Sequence, residues 1–307
     1  MRKYSNYFIL NEQYIFSIDP LNQDEQLYGE QNSLAQYCIY QGYEHFMRII
    51  PNKYGEMLTT VNDNKFLVCQ GRLHSTSTAT RDLSGQLLAQ FHKNNYTYPY
   101  EPRVVSSYGK WKQLWIDKLT FFEEELGKEE SVFNSKFLYR ARNVLPYIIG
   151  ISENAIQYLQ ENERNEQFTD YDQGTITFHR YRGQLEESFI PFGELIYDHP
   201  IRDLAELIRY EILNNKDGVI NSFNFLIDYD SVLPISLYSW KLLYARLLFP
   251  VHFFDLFSKQ ISEKKDFTRE LVQLKEKQTH YEAGIKQLFD EVERKYKRLP
   301  MYMVQWF

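Results

Sequence analysis

The sequence has few glycines, few cysteines and no excess of basic charge. Its 13 glycines are all isolated and no Gly-x-Gly occurs, which argues against a glycine-rich loop that would cover phosphate groups. Cys38 and Cys69 are the only cysteines. They lie far apart, which fits a reducing compartment and excludes a cysteine-ligated zinc site. The net charge of −6, with 35 Lys and Arg against 41 Asp and Glu, argues against a nucleic-acid-binding protein.

Long apolar runs are also missing. The nearest approach, residues 242–257, is interrupted by Arg246, His252 and Asp255, so we expect no membrane span. The first residues, Met1–Asn6, are polar where a signal peptide has its apolar core. We therefore expect a protein without a signal peptide, which is made and kept on the cytoplasmic side of the membrane.

The first 70 residues predict a small sheet with one helix. Aromatic and β-branched runs separated by turn residues indicate hairpins, and apolar residues at helical spacing indicate a helix between them. The predicted segments are the hairpin of Tyr4–Leu10 with Tyr14–Ile18, the helix Gln31–Gln41 ended by Gly42, and the hairpin of Glu56–Val61 with Lys65–Gln70.

After residue 70 the pattern is mainly helical, with a short β-like piece at Thr175–Phe178. The predicted helices are Asp82–Lys93, Trp111–Leu126, Val132–Ile149, Ser152–Gln160, Ile201–Asn214, Phe223–Tyr229, Pro234–Leu248, one from Phe253 onward, and a long charged helix over 261–298. The apolar end, Leu299–Phe307, is expected to dock back onto the domain. This plan predicts an α+β, protein-kinase-like fold with a small β-rich lobe at 1–70 and a larger helical lobe at 71–307.

One segment is similar to the active-site region of small-molecule kinases of the aminoglycoside/choline kinase type. His179-Arg180-Tyr181 follows the β-like Thr175–Phe178, and Pro200 precedes Asp203-Leu204-Ala205 by the spacing of those kinases. Phosphoryl transfer on this fold uses a glycine-rich loop, a strand lysine, a catalytic Asp with a following Asn, and a second Asp that holds magnesium.

The small lobe lacks the first two of these groups. Asn11-Glu12 stands in the hairpin that would carry the glycine-rich loop. No lysine occurs between Lys3 and Lys53, and the strand that would present one ends in Ser17-Ile18-Asp19.

The catalytic carboxylates are also replaced. Tyr181 stands where the catalytic Asp is required, and a phenol with a pKa near ~10 is a poor base at neutral pH. Glu186 stands roughly where the Asn would be, and Pro191 where the metal-binding Asp would be. His179 and Asp203 are expected as retained scaffold: Asp203 to anchor the loop backbone by hydrogen bonds, and His179 to pack and form hydrogen bonds.

Three carboxylates near this segment are weak candidates for metal ligands. They are Glu186, Glu187 and Glu194, which could replace the missing groups. The stretch between Tyr181 and Pro191 is shorter than the kinase pattern, so its alignment stays open by a few residues. We predict no cofactor, no assigned catalytic residue and no metal.

Two aromatic segments admit two readings each. Lys110-Trp111-Lys112 with Trp115 has the interleaved charges and rings of a single-strand binder, but an amphipathic helix packed on the body is the favoured interpretation. Tyr96, Tyr98 and Tyr100 surround Pro99 in a loop that is expected to be exposed, so tyrosine cross-linking there is a hypothesis.

Several segments together resemble the bacterial spore coat-associated kinase-like proteins of the CotS family, and especially its YutH branch. The most specific is Tyr-Asp-His-Pro-Ile-Arg-Asp-Leu-Ala-Glu, residues 197–206. Further matching segments are residues 32–55, 108–115, 152–159 and 244–255. The resemblance implies a protein of the endospore coat, made in the mother-cell cytoplasm, with other coat proteins as partners.

The favoured hypothesis is a catalytically degenerate kinase-like protein with a structural or binding role in coat assembly. A second hypothesis is an active, ATP-dependent small-molecule phosphotransferase with substituted metal ligands. A third is a sensor that binds nucleotide without catalysis.

Overall fold

The computed structural model describes residues 7–10, 13–21, 24–74, 84–128, 133–165, 168–263 and 265–296. Its strands are β1 (Tyr7–Leu10), β2 (Tyr14–Pro20), β3 (Arg48–Ile49), β4 (Leu58–Val61), β5 (Asn64–Arg72), β6 (Thr175–Phe178) and β7 (Leu195–Asp198). Its helices are α1 (Glu25–Tyr40), α2 (Gly85–Asn95), α3 (Trp111–Gly127), α4 (Ser135–Asn165), α5 (Ile201–Asn214), α6 (Gly218–Asp230), α7 (Leu237–Leu248), α8 (Val251–Glu263) and α9 (Thr268–Tyr296).

The chain divides into two compact units that are discontinuous in sequence. The first comprises Met1–Tyr108, Gln173–Asp203 and Asp228–Leu233; the second comprises Gly109–Asp172, Leu204–Ile227 and Pro234–Phe307. The first unit therefore contains both sheets, α1 and α2, and the second is helical. The predicted lobes, 1–70 and 71–307, are a different partition and stay a prediction.

The first unit is organised around an antiparallel sheet with the strand order β1-β2-β5-β3, in which β4 also pairs with β5. Both predicted hairpins are confirmed. The turn between β4 and β5 consists of Asn62 and Asp63, both with positive φ (49° and 62°), which is the two-residue turn that matches the twist of a hairpin.

The helix α1 begins at Glu25, six residues before its predicted start at Gln31. The reason is the side chain of Asp24, which accepts a hydrogen bond from the backbone N–H of Gln26 (2.8 Å) and so caps an earlier turn. Its end is as predicted, with Gly42 at φ +98° two residues beyond Tyr40.

The helix α4 is continuous where two helices were predicted, Val132–Ile149 and Ser152–Gln160. Pro146 lies inside it, and Ser152 is buried in the helix interior instead of capping a new start. A single buried apolar stripe runs along the helix, and its burial outweighs the one hydrogen bond that a proline removes. The stripe comprises Phe137, Ala141, Val144, Ile148, Ile151, Ala155 and Leu159.

The predicted charged helix over 261–298 differs in the opposite way, because the structure divides this range between the end of α8 and α9. The Gln260 side chain closes the break: it donates to the Lys265 carbonyl (2.6 Å) and accepts from the Phe267 N–H (2.9 Å). These two bonds replace helical hydrogen bonds, so the final helix begins only at Thr268.

The core of the second unit is aromatic. Trp115 stacks on Phe249 with ring centroids 4.5 Å apart, and Trp111 lies under the guanidinium of Arg246 at 4.2 Å. Both tryptophans are 5% exposed, as the amphipathic-helix interpretation of α3 predicts. No helix in the described part of the chain is long and apolar enough to span a bilayer. The predicted Asn11-Glu12 loop position and the tail Leu299–Phe307 lie outside the described residues.

Candidate functional site

The loop that contains His179 starts from a buried two-stranded sheet. Strand β6 pairs with β7 in antiparallel register, and all four β6 side chains are buried. The register continues one step further, because the His179 N–H donates to the Glu194 carbonyl (2.7 Å). The His179 imidazole itself is exposed, and the buried aromatic position belongs to Phe178, one residue earlier.

Asp203 anchors the start of this loop. Its carboxylate is fully buried and accepts the backbone N–H of Phe178, with N to O distances of 3.0 and 3.2 Å. These hydrogen bonds join the carboxylate of Asp203 to the loop backbone. They hold the chain at the last residue of β6 and therefore fix where the loop begins.

The structure adds two residues to this anchor that the sequence did not indicate. His92 of α2 is hydrogen-bonded through Nε2 to Asp203 (3.0 Å) and through Nδ1 to the Tyr229 hydroxyl (2.8 Å). Burial lowers the pKa of His92 to about 3 and raises that of Tyr229, so both groups are neutral at pH 7. A neutral His92 then donates from Nε2 to the carboxylate and accepts from the tyrosine at Nδ1.

Tyr181 does not extend toward solvent from the loop. It is 1% exposed, and its ring lies 5.2 Å from that of Phe178. Phe178 in turn packs on Phe46 and Phe91, with centroid distances of 6.2 and 5.4 Å. The tyrosine that we predict at the position of the catalytic Asp is therefore part of an aromatic core.

The segment that contains Pro191 is tied to the end of the larger sheet by backbone hydrogen bonds. Ile190 donates to His45 (2.9 Å) and accepts from Met47 (2.7 Å), and His74 donates to the Ser188 carbonyl (2.8 Å). Pro191 follows directly and opens a short 3₁₀ turn, Phe192–Glu194. A proline side chain has no atom that can coordinate a metal ion.

A helix side chain holds the far end of the same segment. The Gln31 amide, on α1, donates to the carbonyls of Gly193 (3.0 Å) and Leu195 (3.2 Å). Sequence reasoning placed Gln31 at a helix start and gave no indication of this contact, because it joins residues more than 160 positions apart.

Two of the three candidate carboxylates accept hydrogen bonds from other protein groups. Glu186 accepts the backbone N–H of Ser84 (3.3 Å), and Glu194 accepts the Gln184 amide (3.3 Å). Burial, and to a lesser degree the charge of Glu187, raises the pKa of Glu194. The hydrogen bond from Gln184 and the charge of Arg182 act in the opposite direction and are outweighed. Among the residues that the structure describes, no group of three or more His, Cys, Asp or Glu side chains could hold a metal ion.

Polar side chains of β2 and α1 form hydrogen bonds within the protein. The buried Ser17 hydroxyl donates to Asp19 (2.6 Å), on the strand that would present the lysine. On α1, one carboxylate oxygen of Glu30 accepts the backbone N–H groups of 103, 104 and 105 (3.2, 2.9 and 2.9 Å). Partial burial opposes ionisation of Glu30, but these backbone bonds outweigh it and lower its pKa.

Solved structures with a similar fold are kinases of small molecules. An aminoglycoside phosphotransferase from Alicyclobacillus acidocaldarius matches with a TM-score of 0.59 at 13% identity, covering 94% of this chain and 92% of that one. A spectinomycin phosphotransferase matches with a TM-score of 0.54 at 10% identity, over 92% and 89% of the two chains. These likenesses confirm the predicted fold class, α+β and protein-kinase-like, and at such identities they show the fold alone.

Sequence comparisons identify the family. The model of the family described as "Spore coat putative kinase YutH" matches residues 1–288. The Endospore coat-associated protein YutH of Bacillus subtilis strain 168 is 33% identical over 268 residues, which cover 83% of this chain and 78% of that protein. The chain therefore belongs to the YutH family of spore coat kinase-like proteins.

Proposed function

We propose that the protein is a component of the endospore coat that keeps a kinase-like fold and acts by binding or as a structural part, without phosphoryl transfer. One observation carries the proposal: Asp203 still fixes the start of the loop through the Phe178 N–H, while Tyr181, at the catalytic position, is buried among aromatic rings. The scaffold of a catalytic loop is kept and its reactive group is absent.

The energetic argument rests on electrostatics. Phosphoryl transfer depends almost entirely on positioning and on charge stabilisation. Loss of a single preorganised group of this kind typically costs about 3–4 kcal/mol of transition-state stabilisation. The sequence lacks the strand lysine, the glycine-rich loop and both catalytic carboxylates, so the losses occur together.

The segment aligned with the metal ligand supports the same conclusion. The backbone polar groups of Ile190 and the Ser188 carbonyl are already used in hydrogen bonds to residues that flank strands β3 and β5 of the larger sheet. A metal ion or phosphate at this place would compete with those bonds, and Pro191 offers no replacement ligand.

The location is proposed from the family and its Bacillus subtilis member, whose names place them at the spore coat. We expect synthesis in the mother-cell cytoplasm and other coat proteins as partners. A fluorescent fusion expressed during sporulation should surround the developing spore, and the protein should be extracted with the coat fraction. A fusion that stays dispersed in the mother cell would contradict the coat assignment.

A carboxylate variant separates this function from an active phosphotransferase with substituted metal ligands. If Glu186, Glu187 and Glu194 held magnesium, replacing all three by Gln would abolish function in sporulating cells. We expect this variant to assemble into the coat as the wild type does. Its matched control changes three exposed glutamates of α9 in the same way: Glu270→Gln, Glu276→Gln and Glu293→Gln. Loss of coat assembly in the first variant, with the control intact, would favour the phosphotransferase.

A further inference from the structure

Six tyrosines of the first unit form an unbroken series of neighbouring rings, here termed the tyrosine chain. Successive ring centroids along it lie 5.1–6.3 Å apart. In spatial order the contacts are Tyr40–Tyr37 (6.2 Å), Tyr37–Tyr98 (5.1 Å), Tyr98–Tyr100 (5.6 Å), Tyr98–Tyr197 (6.2 Å) and Tyr197–Tyr108 (6.3 Å). Tyr98 is the centre, since it contacts three of the other rings.

The tyrosine chain branches at Tyr98 and has three ends, of which Tyr40 and Tyr100 are exposed and Tyr108 is half-buried. Tyr40 is 83% exposed and Tyr100 is 69% exposed, whereas Tyr37, Tyr98 and Tyr197 are half-buried. Burial raises the pKa of Tyr98 to about 12. Tyr40 and Tyr100 therefore present oxidisable phenols to solvent while their rings contact the half-buried Tyr37 and Tyr98.

Phenols in contact can share a one-electron oxidation. A tyrosine that loses an electron and its phenolic proton becomes a phenoxyl radical, and a neighbouring phenol can restore it by giving up its own electron and proton. The Tyr37 hydroxyl accepts a hydrogen bond from the Gln41 amide (2.8 Å) and shares one with the exposed Thr97 hydroxyl (2.8 Å), so its proton has a path to solvent through Thr97. Oxidation at a half-buried ring can therefore move to an exposed one.

We propose that Tyr40 and Tyr100 are sites of oxidative tyrosine coupling, to which the tyrosine chain delivers the oxidation. Two phenoxyl radicals from two molecules join through ring carbons ortho to oxygen, and one carbon–carbon bond forms. Each ring becomes aromatic again by moving its ortho hydrogen to the oxygen. The two hydrogen atoms lost in total reduce one hydrogen peroxide to two waters, with a haem peroxidase as the one-electron catalyst.

This coupling uses the tyrosine chain, peroxide and a peroxidase, and it uses no phosphoryl group or metal ion. It is therefore independent of whether the kinase-like site binds nucleotide.

The test treats the full chain with hydrogen peroxide and a haem peroxidase. Dityrosine fluorescence and a covalent dimer on a denaturing gel are the two readouts, and mass spectrometry of the dimer band maps the joined peptides. We expect cross-links at Tyr40 and Tyr100, and a severalfold loss of dimer in the double variant Tyr40→Phe, Tyr100→Phe.

Exposed tyrosines outside the tyrosine chain supply the matched control. Tyr54 and Tyr139 are 74% and 65% exposed. The double variant Tyr54→Phe, Tyr139→Phe should keep nearly all of the dimer. Equal losses in the two double variants would show that exposure alone decides the coupling and would overturn the proposal.

Tyr98→Phe tests the delivery step, because it removes one oxidisable group and keeps the ring. Since Tyr98 is half-buried, its loss should lower the dimer yield by breaking the series, and not by removing a coupling site. An unchanged yield in Tyr98→Phe would overturn the role of the chain. Circular dichroism of each variant confirms that the comparison is made between folded proteins.

Discussion

The most informative single substitution is Asp203→Asn, because Asp203 anchors the loop through two different donors. Its buried carboxylate accepts the Phe178 N–H and the His92 Nε2–H. An Asn has one acceptor oxygen and one NH₂ group in the same space. One of the two donors would therefore face an N–H group instead of an oxygen.

The size of the effect follows from the burial. Leaving a buried donor unpaired costs about 1–3 kcal/mol, and the lost bonds to a charged acceptor are stronger than average. We expect Asp203→Asn to lower the free energy of unfolding by about 2–5 kcal/mol, out of a total of about 5–15 kcal/mol. Urea unfolding measures it, with Glu276→Gln on the exposed face of α9 as the matched acid-to-amide control.

Hydrogen exchange locates the effect. The Phe178 amide should exchange faster in Asp203→Asn by more than the loss of global stability explains, because its acceptor has changed. A variant within about 0.5 kcal/mol of the wild type, as for an ordinary surface substitution, with unchanged exchange at Phe178, would refute the anchor.

Three further predictions concern pH, a capping carboxylate and two glycines. The folded pKa of His92, about 3, lies below its ordinary 6.5. The contribution of neutral His92 to stability is therefore fully present above pH 6.5. The free energy of unfolding falls by up to about 1.4 kcal/mol per pH unit as the pH drops toward 3. Urea unfolding should show a smaller slope for His92→Asn. Glu30→Ala should cost about 1–2 kcal/mol, and Glu30→Gln less, because Gln keeps an acceptor for the backbone at 103–105. Gly218→Ala should lower the melting temperature, because a Cβ there would clash with a backbone carbonyl; the expected loss in the free energy of unfolding is about 1–3 kcal/mol. Gly150 lies in a helix with open space around it, so Gly150→Ala should raise the melting temperature, with a gain of up to about 1 kcal/mol in the free energy of unfolding. A higher melting temperature for Gly218→Ala than for Gly150→Ala would contradict both packing arguments.

Local chemistry made much of the fold predictable. The turn at Asn62-Asp63, the C-cap at Gly42 and the exact span of α5 depend on neighbouring residues, and each pattern was read from the sequence. The start of α1 was missed because one side chain, that of Asp24, decided it. The continuity of α4 was missed because Gly150 and the potential cap Ser152 are local signals of a helix boundary, whereas packing along the whole apolar stripe continues through them.

The candidate site was predictable only in part, because its bonds join distant residues. The sequence indicated that Asp203 would hold the loop, since its spacing from Pro200 resembles that of known kinases. Nothing in the sequence connects His92 or Tyr229 to Asp203. The contact between His92 and Asp203 joins residues 111 positions apart, and the contact between His92 and Tyr229 joins residues 137 positions apart. The burial of Tyr181 likewise depends on Phe178, Phe46 and Phe91 meeting in three dimensions.

The central proposal is that this chain does not transfer phosphoryl groups because its kinase-like site does not hold magnesium nucleotide, and thermal unfolding with ATP tests that proposal most directly. A ligand that binds the folded chain must stabilise it, by about 2.7 kcal/mol at a hundredfold excess over its Kd. The account predicts the same melting temperature with ATP, with magnesium, and with both. A rise in melting temperature that requires ATP and magnesium together would contradict it.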